Sequence, residues 1–269
     1  MDKMSNGLVS IIIVTAGSGD HLGLLLDSIG KQTHQEYEII IIDNSPKDTI
    51  ERLPRGARLY SNRRNLFYCQ ALNMGIKDSN GEFVLCLNDD VVLEGRFIEE
   101  ALRGFLFDPA VGMVSGKIMR SDRETLDSTG LFLSIWLTAR ERAYGSTDKG
   151  RFVREGYVFG VNGAVAFYRR KMLEEVKINS DYFDEDYRIF YEDLDIAWRA
   201  QRLGWRGYYI PGALAYHVRG ATVRTNAGIS KAYARRYLGD DLHLDLIKNR
   251  YLTIIKNASF VNLFFRLPF

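Results

Sequence analysis

Two adjacent carboxylates follow an apolar segment in the first half of the chain. Asp89 and Asp90 come after Glu82–Leu87 and Asn88, and the next basic residue is Arg96. Adjacent carboxylates repel each other unless a cation or hydrogen-bond donors satisfy them. Hard oxygen ligands in small number suit Mg²⁺ or Mn²⁺, with the other positions left to water and phosphate oxygens. The pair therefore indicates either a divalent-metal site or an ordinary turn into the next helix.

Further acids stand at positions where they can act in chemistry. Asp43 follows the apolar segment Glu38–Ile42, where a carboxylate can accept an imide N–H from a pyrimidine base or simply form a turn. Glu192, Asp193 and Asp195 fall in the first turn of a predicted helix, where the helix dipole by itself favours negative charge. One of these three can also serve as a general base toward a hydroxyl group.

Two more positions complete the candidate set. His217 ends the segment Ala215-Tyr216-His217, and a single histidine there is either a packed side chain or a metal ligand. Asn162 and Gly163 precede another apolar segment, where glycine lets the backbone approach a phosphate or sugar closely, or forms a plain turn. Each signal alone is weak, and their combination and order carry the interpretation.

The first half of the chain alternates strand and helix patterns. Strands are predicted over Val9–Val14, Glu38–Ile42, Ala57–Tyr60 and Glu82–Leu87, and helices over Leu22–Ile29, Tyr68–Ser79 and Phe97–Phe105. This alternation predicts an α/β protein with a parallel sheet covered by helices. Ligands of such sheets bind beyond the carboxyl ends of the strands. Asp43 and Asn88-Asp89-Asp90 both lie at such ends.

The second half is less regular. Residues 121–159 show little periodicity and are predicted as a long loop over the ligand crevice. The remaining predictions are strands over Ala164–Tyr168, Arg206–Ile210 and Leu214–His217, a helix over Arg170–Val176, a helix from Tyr191 to Gly204, and two helices within Ser230–Asn257.

Composition excludes several classes of protein. The chain has 269 residues, 46% hydrophobic and 26% charged, which is typical of a globular protein and excludes disordered, collagen-like and disulfide-scaffold chains. A net charge of +2 argues against a nucleic-acid partner. Two cysteines and the lack of a signal sequence or long apolar run predict a cytoplasmic protein. The basic, aromatic C-terminal section suggests peripheral contact with the inner face of the cell membrane.

A series of short segments over residues 8–220 occurs in an order that is shared with one protein family. The segments are Val9–Thr15, Ile41–Ser45, Asn65–Asn73 with Gly75, Gly81–Phe83, Asn88–Val91, Gly163-Ala164, Phe183–Glu185, Tyr191–Asp195, Arg199, Gly204, Pro211 and His217. In these segments the chain resembles glycosyltransferase family 2, the inverting, metal-dependent group that uses nucleotide sugars. Within that family it is most similar to the bacterial rhamnosyltransferase-like branch that builds cell-surface polysaccharide.

The resemblance implies the GT-A fold, a Rossmann-like, mixed, mainly parallel sheet covered by helices. It places a glycosyltransferase domain at residues 1–220, with a nucleotide-binding half at 8–115 and an acceptor and catalytic half at 116–220. A C-terminal helical extension at 221–269 follows, which we expect to be a truncated part of something longer.

The resemblance also implies a role for each candidate residue. On the donor side, the nucleobase and ribose would be bound by Thr15, Ala16, Gly17, Asp43, Asn88 and Asp89, with Asp43 on the uracil or thymine imide. Mg²⁺ or Mn²⁺ would be held by Asp90 and His217. Asp193 would be the catalytic base, and donor or acceptor contacts would come from Asn162, Gly163 and Glu192. The implied reaction moves a sugar, rhamnose from dTDP-rhamnose in the first instance, to a glycan or lipid-linked glycan.

Three other functions stay open. A UDP-sugar-dependent transferase of the same family fits equally, because thymine and uracil present the same imide edge. A sugar nucleotidyltransferase would need a glycine-rich loop with a basic residue after the first strand, and residues 15–20 contain no Lys or Arg. A catalytically inactive sugar-nucleotide-binding or lectin-like protein is favoured by Asn88, where many relatives carry Asp, and by Ala16-Gly17, where Tyr-Asn is usual.

Overall fold

The computed structural model describes residues 7–17, 20–47, 50, 52–218 and 240–259. The helices of these described ranges are α1 (Asp20–Gly30), α2 (Phe67–Lys77), α3 (Phe97–Phe107), α4 (Arg170–Glu175), α5 (Glu192–Arg202) and α6 (Asp240–Asn257). The strands are β1 (Val9–Thr15), β2 (Tyr37–Asp43), β3 (Arg58–Ser61), β4 (Phe83–Asn88), β5 (Val91–Leu93), β6 (Val111–Arg120), β7 (Leu126–Ser128), β8 (Leu131–Leu133), β9 (Ala139–Glu141), β10 (Gly156–Val158), β11 (Val165–Arg169) and β12 (Arg206–His217).

One mixed, mostly parallel sheet organises the described chain. Its strands run in the order β10-β12-β6-β11-β4-β1-β2-β3, with β5 paired to β12 and β7 to β6. Strands β4, β1, β2 and β3 are parallel, and their apolar β-branched residues are buried on both faces because helices cover both sides of the sheet. The predicted α/β class and the mixed, mainly parallel sheet are confirmed.

A long strand before the midpoint of the chain escaped prediction. β6 covers Val111–Arg120 and pairs in parallel with β12 and in antiparallel with β11. The sequence of β6 does not show a clear strand pattern, because Gly112, Ser115 and Gly116 interrupt the run of β-branched residues. The glycine at 116 is required by packing, since a Cβ there would lie 2.3 Å from the carbonyl oxygen of Ala213.

The two short strands predicted around Pro211 are one strand. β12 runs through the proline, and its register against β6 shifts between Ile210 and Leu214. Proline has no N–H to give to a ladder, so a strand accommodates it at such an irregularity. The prediction of two strands was therefore wrong at this point.

The segment 121–159 contains more structure than the predicted loop. It forms β7, β8, β9 and β10, of which β7 pairs with β6, β8 with β9, and β10 with β12. These strands have three residues each, too few for an alternating pattern to be seen in the sequence.

At the C-terminal side the structure describes one helix, α6, where two were predicted within residues 230–257. Residues 230–239 and the expected domain boundary at 220–221 lie outside the described residues. Among the residues that are described, no helix combines the length and the apolar character needed to cross a membrane.

Candidate active site

The ends of four neighbouring segments bring the donor-side candidates to one edge of the sheet. Thr15 at the end of β1 pairs with Asp43 at the end of β2. Val14 pairs with Asn88 at the end of β4, and the Asn88 N–H donates to the carbonyl oxygen of Ala164, at 3.0 Å. Neighbouring strands lie about 4.8 Å apart, so the whole row spans about three strand spacings.

Asp43 is buried at this edge, with 1% of its surface exposed. Its Oδ1 accepts hydrogen bonds from the backbone N–H of Ser45, at 2.9 Å, and from the Ser45 hydroxyl. The two residues that follow β1, Ala16 and Gly17, are exposed, unlike Asp43. Gly17 has a φ of +83°, a conformation that favours glycine. Asp43 is therefore held in a fixed position beside an open backbone turn.

His217 lies between two carboxylates. Its Nε2 is 3.2 Å from Asp90 Oδ1, and its Nδ1 is 2.9 Å from Asp127 Oδ2. β12 carries His217 to this position by pairing it with Val91 of β5, the residue directly after Asp90. The predicted partners Asp90 and His217 are thus neighbours, and Asp127 is a third member that sequence analysis missed.

A β-bulge explains the position of Asp127. Ile118 of β6 pairs with Ser128 of β7, and the next residue, Met119, pairs with Leu126, so that Asp127 is the extra residue between them. A bulge turns a side chain away from its regular direction. No sequence signal marks it, because the pairing depends on a three-residue strand.

The donor atoms of Asp90 and His217 fit a small divalent cation. Two atoms in neighbouring positions of an octahedral ion at about 2.1 Å lie about 3 Å apart, close to the observed Nε2–Oδ1 separation of 3.2 Å. Asp127 on Nδ1 leaves Nε2 to face the cation, the arrangement typical of metal-binding histidines. The described residues hold no group of three or more His, Cys, Asp or Glu side chains arranged to hold a metal. An ion here would therefore take its other ligands from phosphate and water.

The two carboxylates also control the charge of His217. Burial favours the neutral ring, but the negative charge of Asp90 and the hydrogen bonds to Asp127 and Asp90 outweigh it and raise the pKa of His217 to about 9. The ring is therefore protonated at neutral pH. A cation that binds Nε2 must displace that proton, so its affinity will increase with pH.

Asp193 lies in the first turn of α5 and faces the loop before β11. Its Oδ2 accepts from the Gly163 N–H at 3.1 Å, and its Oδ1 accepts from the Leu194 N–H at 2.7 Å. Burial raises the pKa of Asp193 above its ordinary value, although these N–H donors oppose the shift. A carboxylate with a raised pKa is a stronger base toward a hydroxyl group. Gly163 also links this base to the sheet edge, because Ala164 follows it.

Glu192 is buried beside Asp193. Its Oε2 has no hydrogen-bond partner, and burial together with the charge of Asp193 raises the pKa of Glu192 to about 8. At neutral pH Glu192 therefore holds a proton. A Cβ on Gly163 would lie 3.2 Å from Glu192 Oε1 and 3.5 Å from Asp193 Oδ2, so glycine is the residue that leaves both carboxyl groups uncrowded.

The other two candidates near this point hold the structure together. Asp195 accepts from Arg199 at 2.9 Å and from Asn257 at 2.7 Å, which commits it to ion pairing and makes it a poor base. Asn162 is committed in the same way, because its Oδ1 accepts from the Ala164 N–H and its Nδ2 donates to Glu141. The Asn162 side chain is therefore not available to a ligand.

Two residues outside the predicted set, Tyr68 and Asn249, hold the loops on either side of Asp193 in place. The Tyr68 hydroxyl on α2 donates to the Gly163 carbonyl at 2.7 Å. Asn249 of α6 is fully buried and its Nδ2 donates to the carbonyls of Tyr187, Ile189 and Phe190, at 2.7 to 2.8 Å. Those residues lead directly into Glu192, and Phe190 has a φ of +72°. The loop that precedes Glu192 and Asp193 is thus hydrogen-bonded to α6.

Comparison with known proteins identifies the family. Residues 10–177 match the model described as Glycosyl transferase family 2, which is more than half of the chain. The chain belongs to glycosyltransferase family 2. It is a glycosyltransferase, as the sequence predicted, and the GT-A fold is confirmed.

Curated relatives of this glycosyltransferase are distant and longer. The uncharacterized protein y4gI of Sinorhizobium fredii is 26% identical over 229 residues, covering 78% of this chain and 24% of the relative. Poly-beta-1,6-N-acetyl-D-glucosamine synthase of Staphylococcus aureus strain MSSA476 is 21% identical over 214 residues, covering 77% of this chain and 49% of the relative. The chain thus spans between about a quarter and a half of these proteins.

Solved structures share the fold of this glycosyltransferase. GalNAc-T7 with UDP, GalNAc and Mn²⁺ superposes with a TM-score of 0.63 at 15% identity, over 78% of this chain and 43% of that protein. TarS of S. aureus superposes with a TM-score of 0.57 at 18% identity, over 78% of this chain and 36% of that protein. The likeness to these structures concerns the fold, and the rhamnosyltransferase-like branch stays a prediction.

The proton on Glu192 predicts a pH-dependent stability. The pKa of Glu192 is about 8 in the folded glycosyltransferase, against an ordinary 4.5. The folded state therefore binds more protons than the unfolded state between these values, and the free energy of unfolding falls as pH rises from about 4.5 to 8. Glu192→Gln removes the contribution of Glu192 to this decline, so the variant should match the wild type near pH 5 and exceed it at pH 8.5, by roughly 2 to 4 kcal/mol.

Thermal unfolding at the two pH values measures this effect. Glu155→Gln on the exposed surface serves as the matched control and should leave the pH dependence of the wild type unchanged. An equal difference between Glu192→Gln and wild type at both pH values would show that Glu192 does not carry the proton.

Proposed function

We propose that this glycosyltransferase is a metal-dependent, inverting enzyme that moves a sugar from a nucleoside diphosphate to a glycan or lipid-linked glycan acceptor. The observation that carries this proposal is the hydrogen bond from the Gly163 N–H to Asp193. It places Asp193 beside the row of strand ends that includes Asp43 and Asn88. A candidate base, Asp193, and a candidate cation-binding pair, Asp90 and His217, therefore lie along the same edge of the sheet.

On the donor side, Asp43 accepts the imide N–H of uracil or thymine. Thr15, Ala16 and Gly17 line the base and ribose, and Asn88 and Asp89 contact the ribose and phosphates. Asp90 and His217 hold Mg²⁺ or Mn²⁺. Bound there, the ion supplies Lewis-acid neutralisation of the charge that develops on the leaving phosphate oxygens.

On the acceptor side, Asp193 takes the proton from the attacking hydroxyl group. Glu192 holds its own proton at neutral pH, so it donates a hydrogen bond to donor or acceptor and is a poor nucleophile. Retention of configuration would need a second carboxylate placed for attack on the sugar. Because Glu192 holds its proton, Asp193 is the one carboxyl group of the pair that we assign as base, and we propose direct attack with inversion.

Two donors are the first to test. The resemblance to rhamnosyltransferases favours dTDP-rhamnose. A UDP-sugar is favoured by the likeness to GalNAc-T7, solved with UDP and GalNAc, and to a poly-N-acetylglucosamine synthase. The buried free thiols of Cys69 and Cys86 suit a cytoplasmic location, where thiols stay reduced.

The alternatives have less support. A nucleotidyltransferase would need a basic phosphate-binding loop after β1, and the described part of that turn, Ala16 and Gly17, has no basic side chain. An inactive binding protein would not need the hydrogen bonds that hold Asp193 or the protonated carboxyl group of Glu192 beside it.

Thermal shift with a panel of UDP- and dTDP-sugars, each with Mg²⁺, Mn²⁺ or EDTA, tests the proposal. A ligand at 100 times its dissociation constant stabilises a protein by about 2.7 kcal/mol, so one donor should raise Tm by several degrees, only with the metal. Turnover of that donor should release nucleoside diphosphate and give an inverted linkage. Release of pyrophosphate would identify a nucleotidyltransferase, and binding without turnover on any glycan acceptor would favour the inactive protein.

A further inference from the structure

The C-terminal helix α6 turns its polar side inward. Asp245, Asn249, Thr253 and Asn257 recur every four residues and are at most 4% exposed. Their partners are the loop before α5 and Asp195 of α5 itself, as in the hydrogen bond from Asn257 to Asp195 at 2.7 Å. The enzyme therefore uses the polar stripe of this helix for its internal packing.

The opposite side of α6 is apolar and exposed. Leu244, Ile247, Tyr251 and Ile255 follow one another at spacings of three and four residues, which places them on one face, and they are 59% to 75% exposed. This arrangement is the reverse of an ordinary amphipathic helix in a globular protein, whose apolar face packs on the core. We call these four residues the outer stripe.

The exposed charged residues beside the outer stripe are mostly basic. The exposed charged residues of α6 past its first turn are Lys248, Arg250 and Lys256. Lys248 also pairs with the buried Asp245, at 3.1 Å, and Lys256 pairs with Asp184, whereas the exposed acids Asp240 and Asp241 lie in the first turn. In the sequence as a whole, residues 219–269 contain nine Lys and Arg and three Asp, a formal charge of +6 in a chain of net charge +2. The exposed basic residues of α6 therefore favour an anionic partner for this helix.

We propose that the outer stripe of α6 docks on an anionic lipid surface. A helix that lies in a membrane interface combines an apolar face with basic residues beside it, and Tyr251 is a side chain of the type enriched at that depth. Nucleic acid would use the cations and leave four large apolar side chains without a role. A second copy of the chain would bring Lys248 and Arg250 toward the same cations, since past the first turn the exposed charged residues of α6 are basic.

Docking through α6 is independent of the proposed reaction, but it would orient the enzyme. α6 holds the loop that precedes Glu192 and Asp193 through Asn249. Docking would thereby fix the orientation of the acceptor-side acids relative to the lipid surface.

Co-sedimentation of the full chain with vesicles tests the docking. Phosphatidylcholine vesicles with 30% phosphatidylglycerol should bind the wild type, pure phosphatidylcholine vesicles should bind it much less, and raised salt should weaken binding. The double variant Ile247→Ser with Ile255→Ser should lower the partition coefficient on the order of tenfold or more. The matched control replaces Leu24 and Leu203 by Ser, two leucines that are 54% and 57% exposed outside α6, and should bind like the wild type.

Three results would overturn the docking: equal vesicle binding by the stripe variant and its control, a wild-type dimer that the stripe variant dissociates, or binding of RNA in place of vesicles. The nucleotide-sugar thermal shift on the same samples keeps the two proposals apart. Loss of vesicle binding with an unchanged donor response concerns α6 alone, whereas loss of the donor response in the wild type concerns the reaction.

Discussion

Asp193→Asn is expected to reduce sugar transfer by about 10² to 10⁴-fold, the usual effect of losing a general base, while donor affinity changes little. The amide oxygen of Asn can still accept the hydrogen bond from the Gly163 N–H that the carboxylate accepts now, at 3.1 Å. The variant therefore keeps the local geometry and loses the basicity. Initial rates at saturating donor and acceptor, with donor affinity measured separately by calorimetry, give the two quantities.

Asp27→Asn on the exposed side of α1 is the matched control and should turn over like the wild type. The wild-type rate should fall at acid pH, with an apparent pKa above the ordinary value of an aspartate, because burial raises the pKa of Asp193. A normal turnover number in Asp193→Asn would contradict the assignment of Asp193 as the base and favour Glu192 in that role.

Asp90→Ala is expected to abolish the metal-dependent part of donor binding. The Asp90 carboxylate is 3.2 Å from His217 Nε2, so the variant removes one of the two side chains that face a common cation. Loss of a supporting residue alone costs about 10- to 100-fold in metal affinity, and loss of a direct ligand should cost at least that. Titration of the nucleotide sugar with Mn²⁺ and with EDTA separates the metal-dependent affinity from the rest.

Asp127→Asn is expected to weaken metal-dependent donor binding less than Asp90→Ala does. Its carboxylate orients His217 through Nδ1 at 2.9 Å and does not face the cation, so we expect a loss of about tenfold and a partial recovery at higher Mn²⁺ concentration. Equal metal-dependent affinity in the wild type and Asp90→Ala would contradict the assignment of this pair.

The sheet edge could be predicted because local patterns determine it. The buried strands β1, β2 and β4 are runs of Ile, Val and Leu, and parallel strands necessarily bring their carboxyl ends to one edge. Thr15, Asp43 and Asn88 were therefore placed together without any knowledge of tertiary contacts. Asp90 and His217 were paired on the family resemblance, and the structure brings them into contact.

What escaped prediction depends on contacts between distant residues. Asp127 reaches His217 because of a bulge in a short strand, and Tyr68 reaches Gly163 across 95 positions of sequence. The protonation of Glu192 depends on burial beside Asp193, which a sequence pattern does not reveal. Asp195 and Asn162 were candidates of suitable type, and only their hydrogen bonds show that they are committed to structure.

Diffraction from crystals grown with Mn²⁺ and the nucleoside diphosphate that gives the largest thermal shift tests the central claim most directly. The account predicts one anomalous manganese peak in contact with Asp90, His217 and the diphosphate, the pyrimidine edge on Asp43, and Asp193 facing the position of the transferred sugar. A nucleotide bound away from this edge of the sheet, or a manganese peak that contacts neither Asp90 nor His217, would contradict it.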